Sequence, residues 1–228
     1  MSSASRRTTP HTHRQSLSLA LPATVAVEPL GWTIDYTAAP GQINKAVLNE
    51  ALYGHGKVTF VIDDVVPISI KSGTPCTYPV SRDHTKVSCT VPGQQTEIPY
   101  SVVKLDLGDG NDTATNTGSF DGNEIEGGPN ADTIRAGREA VVDGQGGNDF
   151  VYGGAGPQTL LGGPDAGKDT ILGGPGNDTI RGGQGDDILY GNSGGDWIFG
   201  VDGNDKLYGG PGADMLDGGP GRNVVHQD

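Results

Sequence analysis

From Gly173 to Asp217 the chain repeats itself every nine residues, five times without a gap. The first two units read Gly173-Gly-Pro-Gly-Asn-Asp-Thr-Ile-Arg181 and Gly182-Gly-Gln-Gly-Asp-Asp-Ile-Leu-Tyr190, and their shared rule is Gly-Gly-x-Gly-x-Asp-x-aliphatic-x. A fixed short period is the signature of a solenoid, in which each unit buries its apolar residue only against its neighbours. The glycines permit left-handed backbone and let carbonyls crowd together, which makes the first six positions a turn. The eighth-position aliphatic, flanked by two outward-facing residues, makes the last three a short strand. Turn plus strand is half a coil, so two modules complete one circuit. Weaker units carry the pattern back to Leu107 and forward to His226, thirteen modules in all. Two-residue insertions fall near Asn116 and Asp165, and the unit Ala136–Asp143 is one residue short.

Such a half cannot stand on apolar burial alone. One buried aliphatic per nine residues contributes far less than the ordering of nine backbones costs, and rows of stacked aspartates repel one another. The charge is concentrated there. Of the chain's formal −13, residues 107–228 supply −14 (6 Lys+Arg against 20 Asp+Glu) and residues 1–106 supply +1 (9 against 8). Glycine divides the same way, 33 of 39 lying after residue 106. An acidic chain disfavours nucleic acid as a partner, and no run of 18 apolar residues exists to span a membrane. Cations are the expected partners. The sixth-position carboxylate and the turn carbonyls are hard oxygens of the kind Ca2+ takes.

On these units the second half resembles the RTX, or haemolysin-type, calcium-binding repeat family. The resemblance covers residues 107–226 and implies a parallel β-roll, Ca2+ held between stacked turns, calcium-triggered folding and export of the unfolded chain. If two modules make a coil, alternate modules stack on one edge. The first edge then carries Asp112, Asp132, Asp149, Asp169, Asp187 and Asp205 and ends at Asn223. The second reads Asn123, Ala140 and Gln158, then Asp178, Asp196 and Asp214. These nine aspartates are the expected metal ligands. One edge is competent throughout and the other only in its last three turns, which predicts five plus two calcium ions, with terminal half-sites beyond them. The insertion before Gly167 is expected to disturb the site at Asp169.

The first half reads as a small β-rich unit. Period-two alternation places Trp32, Ile34 and Tyr36 on one strand face, and likewise Val58, Phe60 and Ile62, Val87, Cys89 and Val91, and Val103, Leu105 and Leu107. Ile43–Leu52 fits a strand or a short helix, and turns are expected at Gly73-Thr-Pro75 and Val91-Pro-Gly93. Cys76 and Cys89, in neighbouring strands, favour a disulfide over two buried thiols. Residues 1–26 hold Arg6, Arg7 and Arg14 ahead of the apolar run Leu17–Val27, the order of a secretory signal, with small residues near Ala23 and Ala26. The family's type I export signals lie beyond the repeats, where this chain has only Gln227-Asp228, which also favours an N-terminal signal. This half further resembles the β-rich leaders of secreted actinobacterial proteins with such repeats.

No catalytic constellation accompanies the repeats. Gly191-Asn-Ser-Gly-Gly195 matches a nucleophile elbow, but Ser193 falls in register at the third position of a module. HExxH is absent, and EF-hand spacing fails at Lys206. Asn111 and Asn177 are formal sequons inside the turn pattern. Tyr152, Leu172, Tyr190 and Tyr208 recur at the ninth position of alternate modules as an outward ladder. Cross-strand stacking is its simpler role, and docking of a sugar or protein surface the alternative. The expectation is an all-β, secreted, monomeric, non-enzymatic protein. A signal-like segment (1–26) and a β-rich cap (27–106) precede a Ca2+-binding parallel β-roll (107–226). A calcium-dependent adhesin acting through the cap or the tyrosines is the alternative.

Overall fold

The computed structural model describes residues 21–27, 33–54, 57–72, 74–92, 102–117 and 122–227. Among these no helix occurs, and none therefore is long and apolar enough to cross a membrane. The thirteen modules, with the segment that leads into them, form fourteen strands wound as a parallel solenoid. In chain order they are β8 (Val102–Asp106), β9 (Thr113–Asn116), β10 (Glu124–Pro129), β11 (Thr133–Arg135), β12 (Val141–Gly146), β13 (Phe150–Tyr152) and β14 (Thr159–Gly163). Then come β15 (Thr170–Pro175), β16 (Thr179–Gln184), β17 (Ile188–Ser193), β18 (Trp197–Asp202), β19 (Lys206–Tyr208), β20 (Met215–Asp217) and β21 (Val224–His226). Even-numbered strands stack in one sheet and odd-numbered strands in the other, so each pair of modules makes one coil.

The core is one residue thick on each sheet. In the even sheet Leu105, Ile125, Val142, Leu160, Ile180 and Ile198 lie in register, each at most 1% exposed. In the odd sheet Ala114, Ile134, Val151, Ile171, Leu189 and Leu207 form the facing row, all at 0%. Apart from Leu105, which precedes the first module, these are the eighth-position residues. At the far end Leu216 is only half-buried and Val225 is exposed.

The N-terminal strands extend both sheets. They are β1 (Ala23–Val27), β2 (Thr33–Thr37), β3 (Lys45–Gly54), β4 (Lys57–Asp63), β5 (Ile68–Ile70), β6 (Cys76–Thr77) and β7 (Lys86–Pro92). The even sheet continues β8-β2-β1-β5 and the odd sheet β9-β3-β4-β7-β6. Because β2 and β3 pair in parallel with β8 and β9, they form one more coil, on which the antiparallel strands then pack. Tyr36 and Ala46 extend the two core rows, the bulky ring standing over the even sheet while Ala46 and Ala114 leave room on the odd one.

Several expectations meet the structure here. Ile43–Leu52, open to a helical reading, lies mostly in strand β3, because pairing with both β4 and β9 satisfies its backbone. Val91-Pro92, expected in a turn, continues β7 opposite β4. Cys76 and Cys89 are directly opposed on β6 and β7 and form a disulfide. Residues 1–20, Trp32, Gly73 and Gly93 lie outside the described residues. Of the signal-like segment the structure describes residues 21–26, where Ala23 and Val25 are fully buried on β1, which pairs with β2 and β5.

Candidate metal centre

The turns joining the two sheets bring all nine expected aspartates into two columns. On the first edge stand Asp112, Asp132, Asp149, Asp169, Asp187 and Asp205. The Oδ1 of each accepts the backbone N–H of its counterpart in the preceding coil at 2.6–2.9 Å, beginning from Asn44. Asn223 takes over as the last acceptor, from Asp205. On the second edge Asp178, Asp196 and Asp214 make the same bond at 2.8–2.9 Å, beginning from Gln158. The insertion before Gly167 does not displace Asp169, which keeps both ladder bonds in line with its neighbours. The extra residues bulge outward as bends at Pro164–Ala166.

With Oδ1 held by the backbone, the other carboxylate oxygen points elsewhere. Oδ2 of Asp112, Asp132, Asp149, Asp178, Asp187, Asp196, Asp205 and Asp214 is buried and has no hydrogen-bond partner. A methyl group built on Gly182 would lie 2.3 Å from Asp187 Oδ2 and 3.0 Å from the Gly200 carbonyl oxygen of the next coil. Eight first-position glycines repeat this arrangement, five on one edge and three on the other, at 2.2–2.7 Å from the carboxylate and 2.4–3.0 Å from the carbonyl. Each is a cradle that only the missing Cβ leaves open, with two hard oxygens facing into it. Asp214 completes the eighth because the Gln227 carbonyl closes its turn. Asp112 differs: its module opens with Leu107, whose side chain is buried in the core. Among the described residues no three carboxylate, imidazole or thiolate side chains converge on one point. A cation here would therefore draw on main-chain carbonyls, the oxygen-rich mixture that suits Ca2+.

The electrostatics favour such an ion. Burial raises the pKa values of the column first, with neighbouring aspartates adding to the effect and the ladder bonds opposing it. Asp132 is pushed up to about 8, Asp149, Asp178 and Asp187 to about 7, and Asp169 to about 6. Asp112, Asp196 and Asp205 move the same way, chiefly through burial. Desolvated carboxylates stacked one coil apart call for a counter-charge, either protons or cations.

Other features carry no signal in the repeat rule. The fifth position forms a second ladder running the opposite way: Asn148, Asn177 and Asn204 accept backbone N–H groups of the following coil at 2.8–3.0 Å. The cap's hidden coil places Asn44 at the sixth position, fully buried. Its Nδ2 donates to the Leu107 carbonyl at 3.0 Å. The Tyr36 hydroxyl donates to Asp64, and burial together with that carboxylate raises its pKa strongly. Only Asn44 and Ala46 preserve the module rule there, too little to read. On the outer face Tyr190 stacks on Tyr208 at 4.7 Å and Tyr208 on His226 at 5.1 Å, while Arg135 covers the Tyr152 ring. Ser193 is exposed at the end of β17, with no helix following it.

Residues 141–163, 165–198 and 190–225 match the RTX calcium-binding nonapeptide repeat family, whose unit comprises four copies of the repeat. No curated protein and no solved structure matches the chain. With both ladders and both core rows in place, residues 141–225 carry matches to RTX calcium-binding nonapeptide repeats within a parallel β-solenoid, the architecture of an RTX β-roll.

Proposed function

We propose that the protein is a secreted, non-enzymatic calcium-binding protein whose roll folds as Ca2+ enters the turn cradles. The observation that carries this reading is the repeated pairing of an orphaned aspartate Oδ2 with a next-coil carbonyl. Asp132, Asp149, Asp169, Asp187 and Asp205 would hold ions on one edge, and Asp178, Asp196 and Asp214 on the other. Asp112 would anchor the ladder to Asn44 more than it binds metal. The ion supplies the positive charge that the buried columns lack, and the main-chain ladders hold successive turns at the spacing it needs. The Cys76–Cys89 bridge suits an oxidising compartment. Because β1 packs into the cap, this reading keeps Ala23–Val27 in the mature chain and puts any cleavage upstream of it.

The aromatic ladder supports a structural role rather than an adhesive one. Rings stacked on one another at 8–10° present edges to solvent, whereas a sugar needs an open face. The test is a calcium titration of the full chain followed by far-UV circular dichroism and calorimetry. A cooperative rise of β signal at about 0.1–1 mM Ca2+, with seven or more ions bound, is the expected result. A chain equally folded in EDTA that binds no calcium overturns the reading.

A further inference from the structure

The second edge does not begin at Asp178. Gln158 occupies the sixth position one coil earlier, is 4% exposed, and donates its backbone N–H to Asp178 Oδ1 at 2.9 Å, as an aspartate would. Its side-chain amide is oriented by one bond: Nε2 donates to the Gly137 carbonyl of the coil before, at 3.3 Å. That bond leaves Oε1 facing the other way, buried and without a hydrogen-bond partner. A methyl group on Gly153 would lie 2.6 Å from this Oε1 and 1.8 Å from the Gly173 carbonyl oxygen of the next coil. These are the two oxygens of the aspartate cradles, with an amide oxygen replacing the carboxylate.

We propose that Gln158 Oε1 and the Gly173 carbonyl frame one more divalent-cation position, between the turns 153–158 and 173–178. The proposal rests on the calcium reading above and adds a site that the Asp rule excludes. Side-chain amide carbonyls are ordinary Ca2+ ligands, but affinity falls as the charge of the ligand set falls. This position therefore loads last. It also ends the column, because Ala140, the next residue towards the cap, has no side-chain oxygen.

Native mass spectrometry of the full chain over a calcium series counts the ions directly. Wild type is expected to take up its last ion at higher calcium than the rest. Gln158→Met, which keeps the side-chain length and removes the amide, should bind one ion fewer. Gln158→Asp should keep the full count and fill that last position at about tenfold lower calcium, because a charged oxygen replaces a neutral one. Circular dichroism in calcium checks folding, and if Gln158→Met does not fold, the Gln158→Asp shift decides. A Gln158→Met count equal to wild type, or a Gln158→Asp titration that superimposes on it, overturns the assignment while leaving the aspartate sites standing. A wild-type chain that binds no calcium overturns the underlying reading as well.

Discussion

A first-position glycine in this roll is required by space more than by backbone angle. Gly182 has no left-handed φ, yet a Cβ there would meet Asp187 Oδ2 at 2.3 Å. Gly182→Ala should therefore lose one bound calcium and cost about 1–3 kcal/mol in thermal unfolding of the calcium-loaded protein. Gly41 is the contrast: its φ is +74° and nothing lies within 4 Å of a built methyl. Gly41→Ala should cost about 1–2 kcal/mol through the backbone alone and leave the calcium count unchanged. The buried columns also fix a pH response. Folding raises Asp132 to about 8 and Asp149, Asp178 and Asp187 to about 7. The unfolded value is about 3.9. The metal-free fold thus holds protons more tightly than the unfolded chain. Its stability from these groups is complete below about pH 4 and is lost as pH rises through about 6–8. In EDTA, β signal should grow on acidification from about pH 8 to pH 5. In calcium the trend should reverse, since protons compete for the same oxygens. Circular dichroism at both conditions checks the sign.

At the scale of the element, each strand contributes one side chain to the core and two to the surface. Leu189 is fully buried between Ile171 and Leu207, and the only row facing it across the core, that of the even sheet, is itself one residue thick. Leu189→Ala should cost about 2–5 kcal/mol. Tyr208, between Tyr190 and His226 on the outer face, should cost only about 0.5–1.5 kcal/mol beyond its area when replaced by Ala. Chemical denaturation in saturating calcium separates the two. The strand positions of the roll were legible because an aliphatic residue recurs at position eight, two residues after the sixth-position turn residue, in every module. The coil formed by β2 and β3 was not. Its turn keeps Asn44 but lacks the glycine and aspartate spacing, because its partner on the outer side is the protein chain of the cap and not another coil. There Tyr36 and Asp64 satisfy what, on the calcium reading, an ion would satisfy further along. Tyr36→Phe leaves Asp64 and Asn44 each short of a partner and should cost about 1–3 kcal/mol, read by thermal unfolding.

For the whole molecule, the cap and the roll share both sheets, so the cap strands cover the end of the roll at β8 and β9. Residues 102–228 alone would expose Leu105, Ala114 and the free edges of β8 and β9. That fragment should stay without cooperative β signal, or aggregate, even in calcium, while the full chain folds. Size-exclusion chromatography with circular dichroism distinguishes these outcomes. At the other end the rows stop at half-buried Leu216 and exposed Val225, so hydrogen exchange should be fastest in β20 and β21.

The sequence by itself determined the period, the two-module coil, the one-aliphatic core and the two aspartate columns, because each follows from spacing along the chain. The strand alternation around Cys76 and Cys89 likewise made their bridge legible. Only the tertiary structure decided what depends on which turns lie above and below one another. That is how Asp169 keeps its register despite the insertion, how Gln227 completes the cradle at Asp214, and why Leu107 denies one to Asp112. It also pairs Ala23–Val27 with β2 and β5 and buries Ala23 and Val25, contacts between distant segments that no local run of apolar residues announces.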